Sequence, residues 1–234
     1  MYPELKIHIN KDFDKEVCYS FLNHKQSGID FAENIFEQHP ELRIISKESV
    51  SKQKVFISEY FDSYYRTHEQ ELLHLQKDNS KQWKSIHTTF FDITAHYFSN
   101  HPWPKGNYTA YLSIINCNPR FLDTKVFQVF CDAKEGFIQI AMHEMLHFLF
   151  FDLLKQIAPE IDPNSDFAWK ISEVFNGLIL SEKEYLQLSE LETIKQYPEL
   201  YPLQQKVLAI WQKEKKAKYF IKQMTSSNST QLSV

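Results

Sequence analysis

The 234-residue chain is 43% apolar and carries a net charge of −4, which is enough apolar content to bury a core. Its lysines are scattered among acids instead of forming a stripe, so nucleic-acid binding is not expected. Only four glycines leave little room for hairpin turns, no stretch reaches the roughly 18 uninterrupted apolar residues of a membrane span, and no basic start with an apolar run opens the chain, so a mainly helical cytoplasmic protein is expected.

Residues 4–10 alternate Leu5, Ile7 and Ile9 with Lys6 and His8, the period of a half-buried strand. A helical period over 49–78 passes through Val55, Phe56, Tyr60, Tyr64, Leu72 and Leu73, with Asp78-Asn79-Ser80 marking its end. A second helix is predicted over 81–98, stopping before His101-Pro102-Trp103-Pro104. Residues 108–115 and 125–131 are aromatic and β-branched, and the turn-prone stretch 116–123 separates them, so they read as two strands of a small sheet. Gly136 then introduces a strongly apolar helix that runs to about residue 157 and is closed by Pro159 and Pro163. Beyond it come a helix over 166–180, a polar stretch over 181–191, an amphipathic helix near 203–224, and a polar tail over 225–234 expected to be disordered. The whole reads as one α+β domain over 1–234, with a helical part over 1–104 and a functional core over about 105–180. Cys18, Cys117 and Cys131 are odd in number and lack CxxC spacing, so they are expected to be reduced core residues with no mark of an activated thiol.

The chemistry lies in Ile140-Ala141-Met142-His143-Glu144-Met145-Leu146-His147-Phe148, which contains HExxH. On a helix the four-residue step stacks both imidazoles on one face, where they can bind one ion, and Glu144 sits beside His143 within reach of a water held by that ion. A chain of this composition shows the pattern by chance in roughly 3 cases in 100, so its surroundings decide. Those surroundings are apolar on nearly every face, and two imidazoles and a carboxylate left unpaired there would cost several kcal/mol. A zinc ion with a bound water satisfies all three, and it needs a third protein ligand. The metzincin continuation fails, because Phe150 and Leu153 stand where Gly and His belong. Glu173, a lone carboxylate in the apolar run 169–176, is the expected third ligand.

This combination resembles the gluzincins, zinc peptidases in which HExxH on one helix is completed by a glutamate from a following helix; the resemblance covers about residues 108–180. It implies a zincin-like core with a small mixed β-sheet preceding the zinc helix, and one of the strands 108–115 or 125–131 running beside a peptide or protein substrate. It further implies Zn2+ held by His143, His147 and Glu173, with Glu144 as the general base of peptide-bond hydrolysis. The chain departs from the family where an aspartate four residues after the ligand glutamate orients a zinc-binding histidine: Gly177 stands there. Asn176, Asp152 and Asp166 are the candidates for that role. No GAMEN-type exopeptidase motif is present. Tyr185, just beyond the Glu173 helix, is the candidate for stabilising an oxyanion.

Other readings exist. Glu71-Leu72-Leu73-His74 and Glu144-Met145-Leu146-His147 are both ExxH, as in di-iron carboxylate bundles, but the first lies in a strongly polar stretch and the strand-like segments do not belong in a four-helix bundle. His87, Asp92, His96 and His101 suggest a second metal site less readily than separate surface partners. A non-catalytic, zinc-stabilised binding protein presenting the 49–78 helix is the third reading.

Overall fold

The computed structural model describes residues 2–22, 25–26, 29–195 and 197–226. They are mainly helical and divide into two compact units, one built from residues 4–83 and 107–137, the other from 1–3, 84–106 and 138 onward.

The first unit holds a four-stranded sheet. Strands β1 (Leu5–Ile9), β4 (Tyr108–Ser113) and β6 (Val126–Phe130) run parallel, with Ile7 opposite Ala110 and Ala110 opposite Phe127. Strand β5 (Arg120–Phe121), inside the turn-prone stretch, pairs antiparallel on the outer edge of β6. A short pair, β2 (Lys25–Gln26) and β3 (Ile29–Asp30), forms a second ladder. Parallel neighbours need long crossovers, and the connection from β1 to β4 carries the helices α1 (Lys11–Phe21), α2 (Phe31–Gln38) and α3 (Val50–Thr67). Asn10 and Asp30 cap α1 and α2, accepting from the backbone N–H of Phe13 and Ala32. Between α2 and α3 a 3-10 segment, Pro40–Ile45, seals the bottom of the core. That core packs Val17, Ile35, Phe36, Leu42, Ile57, Phe61 and Ile115. In β1, Leu5 and Ile7 point inward while Lys6 and His8 face water, as the alternation demands.

At the centre of this unit lies a carboxylate. Asp14 shares the buried face of α1 with Val17 and Cys18 and has no exposed surface. It accepts four hydrogen bonds: from Tyr65 Oη at 2.6 Å, Ser113 Oγ at 2.5 Å, Gln128 Nε2 at 3.0 Å and the Ile114 backbone N–H at 3.1 Å. Loss of hydration pushes its pKa up to about 6, against the pull of those donors toward the charged form. All three cysteines are free thiols; Cys18 is buried and the other two half-buried. Burial raises each of their pKa values, that of Cys131 to about 12, so none is an activated nucleophile.

The second unit is helical. It takes its first helix from the later part of α4 (Glu69–Tyr97), followed by α5 (Gly136–Ile157), α6 (Asp166–Leu180), α7 (Lys183–Ser189), α8 (Tyr201–Glu214) and α9 (Ala217–Ser226). Gly136 opens α5 at φ 77°, the left-handed region that favours glycine, and a Cβ there would meet nothing within 4 Å, so only the backbone conformation selects it. Ser165 caps α6 through the Ala168 N–H. Phe175 on α6 is the hub of an aromatic core, with ring centroids 5.0 Å from Phe150, 5.5 Å from Phe98 and Trp211, and 5.4 Å from Phe220. Helix α5 is long and apolar enough to cross a membrane by length and composition, yet 89% of its most apolar window is buried in the structure.

The helix expected over 49–78 is instead two. It breaks at His68, which leaves helical geometry at φ −107° and ψ 16°; its Nδ1 lies 2.9 Å from the Tyr64 carbonyl, which also accepts the His68 backbone N–H, and its ring stacks on Tyr64 at 4.1 Å. The expected stop at 78–80 does not occur, because Ser80 bonds back to the Gln76 carbonyl at 2.7 Å, Asp78 pairs with His74 and Asn79 is buried. The helix expected near 203–224 is also two, parted at Lys215, which adopts φ 50°. A short helix, α7, fills the stretch read as polar and irregular. Of the tail, Thr225 and Ser226 continue α9, and residues 227–234 lie outside the described residues.

The raised pKa of Asp14 fixes a pH dependence. The folded state holds the Asp14 proton more tightly than the unfolded chain does, so this group's contribution is present near pH 4 and is lost as pH climbs through about 6, on the order of 3 kcal/mol. Urea denaturation at about pH 3 and about pH 7 should show wild type losing about that much stability relative to Asp14→Asn as the pH rises; parallel curves would show an ordinary carboxyl.

Candidate metal centre

The site is built on α5 and α6. Because α5 is apolar nearly all round, it is buried along most of its length, with Met142, Met145, Leu146 and Leu149 fully enclosed. The HExxH residues are its polar interruption. His147 has no exposed surface and Glu144 has 3%, whereas the side chain of His143 is 26% exposed and forms the open side of the site.

The imidazoles of His143 and His147 lie edge to face, centroids 4.6 Å apart, with their Nε2 atoms separated by 2.9 Å. Two bare ring nitrogens so close repel each other, and either a shared proton or a cation between them relieves this. From α6, the carboxylate of Glu173 straddles the pair: Oε2 lies 3.1 Å from His143 Nε2 and Oε1 3.3 Å from His147 Nε2. Glu144 Oε1 approaches His143 Nε2 to 3.9 Å. Among the described residues, His143, Glu144 and His147 form the group of ligand atoms compact enough to hold a metal ion, all within 4.8 Å of one another. Glu173 lies nearer than Glu144 to the His143 nitrogen, at 3.1 Å against 3.9 Å.

Of the three candidates for a supporting residue, Asn176 contacts a residue of the HExxH motif. Fully buried and one turn beyond Glu173, it donates from Nδ2 to the His143 carbonyl at 2.8 Å. Asp152 instead accepts from His101 Nε2 at 2.8 Å, and Asp166 pairs with Lys170 at 2.7 Å. Tyr185 is buried, its hydroxyl 2.9 Å from Thr94 Oγ1 and its ring against Phe90 and Tyr97. Every contact that places it belongs to the helical core, and burial raises its phenol pKa well above the usual range.

The other metal candidates are engaged separately. His87 bonds to the Lys84 carbonyl, Asp92 accepts from Tyr2, and His96 meets Lys216. The His74 side chain is 74% exposed and pairs with Asp78, which leaves the first ExxH pair on a solvated helix face.

Because Asn176 ties α6 to the backbone of His143, Asn176→Ala should lower stability by about 1 kcal/mol and weaken divalent-metal binding roughly tenfold. Urea midpoints and competition with a chromogenic chelator measure the two effects. Metal binding unchanged from wild type would make the contact merely structural. No family model, curated protein or solved structure matches the chain.

Proposed function

We propose that this chain is a zinc-dependent peptidase in which Nε2 of His143, Nε2 of His147 and the carboxylate of Glu173 hold the ion and Glu144 is the general base. Ligand spacing carries the proposal. Zinc bonds to nitrogen and oxygen are close to 2 Å, and tetrahedral placement therefore sets ligand atoms about 3.3 Å apart. The separations of 2.9, 3.1 and 3.3 Å among His143, His147 and Glu173 fall near that edge, while the 3.9 Å of Glu144 lies outside it. Two imidazoles and one carboxylate also make the donor set of a catalytic zinc, which keeps one position open.

Zinc bound there supplies Lewis acidity that lowers the pKa of water and polarises a carbonyl. Glu144, enclosed beside His143, takes the proton of the attacking water at a carboxylate oxygen and delivers it to the departing amine nitrogen. One C–O bond forms, one C–N bond breaks, and Glu144 ends as it began. Asn176 keeps Glu173 at its distance by anchoring α6 to the His143 carbonyl. The choice of a peptide as substrate rests on the gluzincin-like pairing of HExxH with a glutamate from the following helix.

Metal analysis of the purified protein should give one zinc per chain, lost in His143→Ala and in Glu173→Ala. Glu144→Gln should retain zinc and lose hydrolysis of a mixed peptide pool by a factor of about 100 or more. Undiminished hydrolysis in Glu144→Gln would falsify the assignment of the base, zinc retained in Glu173→Ala would move the third ligand elsewhere, and two irons per chain would replace the peptidase reading altogether.

A further inference from the structure

A cavity of about 220 Å³ opens in the sheet-bearing unit, between the end of α2, the 3-10 segment, α3 and the ends of β4 and β6. None of its lining residues belongs to the candidate metal centre. Its inner wall is a hydrogen-bonded relay. His39 is buried, with Nε2 2.6 Å from the Ile114 carbonyl and Nδ1 2.7 Å from the Tyr60 hydroxyl. A carbonyl only accepts, so Nε2 must carry the proton. Burial lowers the pKa of His39, so the ring is neutral and Nδ1 is bare. The Tyr60 proton is therefore committed to Nδ1, and its oxygen is left with lone pairs alone.

The side walls are aromatic. The His39 ring stands edge-on to Tyr60 and to Tyr64, centroids 5.5 Å from each, and the two tyrosines lie 6.3 Å apart. Glu41 and Asp132, both exposed, complete the rim, and neither lysine nor arginine lines the cavity. Arg43, the nearby cation in sequence, is occupied elsewhere by a two-pronged pair with Glu33 and by the face of Phe36. The cavity thus combines aromatic walls, two carboxylates and a phenol oxygen that can only accept. Such a lining attracts positive charge and rewards a ligand that donates several hydrogen bonds. Its volume is below that of sites for drug-sized molecules, which suits an alkyl chain ending in a single charged head.

We infer that this cavity binds a primary ammonium group, supplied either by a small free amine or by a lysine side chain. Three N–H donors match the acceptors of Tyr60, Glu41 and Asp132 better than a quaternary ammonium, which donates none.

Chemical-shift titration of the full-length, isotope-labelled protein with n-butylammonium chloride tests this. Saturable shifts are expected at the amides of His39, Tyr60, Tyr64 and Asp132, with none from n-butanol, which matches the chain and lacks the charge. The double variant Glu41→Gln, Asp132→Asn changes two exposed side chains and should weaken binding about fivefold or more, with the thermal midpoint unchanged. Putrescine and an N-terminally blocked lysine tetrapeptide then distinguish the sources, the tighter of the two naming the physiological donor. Shifts that grow without saturation, an equal response to n-butanol, or wild-type affinity in the double variant would overturn the proposal.

Discussion

A carboxylate from one helix meeting two imidazoles from another, within packing that is otherwise apolar, is the constraint on which the helical unit depends. Each of these heads would cost several kcal/mol if buried alone, so α5 and α6 are held to the one register that brings Glu173 to the Nε2 pair. Asn176 fixes the same register through the backbone, one turn further along α6. The opposite side of α6 presents Phe175 to Phe98, Trp211 and Phe220. A single helix therefore carries polar groups on one face and an aromatic hub, Phe175, on another. A slip of one residue would forfeit both.

The two units solve the same problem in opposite ways. In the sheet-bearing unit the buried acid Asp14 is met by four protein donors, and its negative charge is shared among a tyrosine, a serine, a glutamine and a backbone N–H. At the candidate metal centre the heads that converge are two ring nitrogens and a carboxylate, each nitrogen a donor or an acceptor according to its tautomer, and all of them of the kinds that bind metal ions. The first arrangement is complete within the protein and serves packing. The second gathers groups of the kinds that bind metal ions, and for that reason it is where chemistry is proposed.

Much of the site was legible in the sequence because its signals are local. HExxH fixes the placement of His143, Glu144 and His147 by helix spacing alone, and the bounds of α6 follow from an apolar run between a proline-bounded loop and a polar stretch. Glu173 could be picked out as a carboxylate with no local reason to lie among apolar residues, and its position against both imidazoles accords with that choice. Tyr185 had no such signal beyond its place in the chain, and its contacts put it in the helical core. Helix ends were harder to read. Asp78-Asn79-Ser80 looks like a stop, but side-chain bonds within the helix and the burial of Asn79 outweigh local preference, whereas the break at His68, where the ring stacks on Tyr64, carries no stop residue to announce it. Asp14 did leave a trace, since it falls on the stripe of Val17, Cys18 and Phe21 in α1, but its donors come from α3 and from distant strands and their ends. The parallel pairing of β1 with β4 is equally remote in sequence, and no local pattern announces it.

The reach of those donors bears on how the chain is made. Asp14 emerges early in synthesis, yet its partners lie 51, 99, 100 and 114 residues downstream. Until Gln128 has been added, any collapse of α1 onto the growing core encloses an acid whose hydrogen bonds are incomplete. Every hydrogen bond that offsets the burial of this carboxyl group closes a loop of 51 residues or more, so the first helix can be enclosed without penalty only together with α3, β4 and β6.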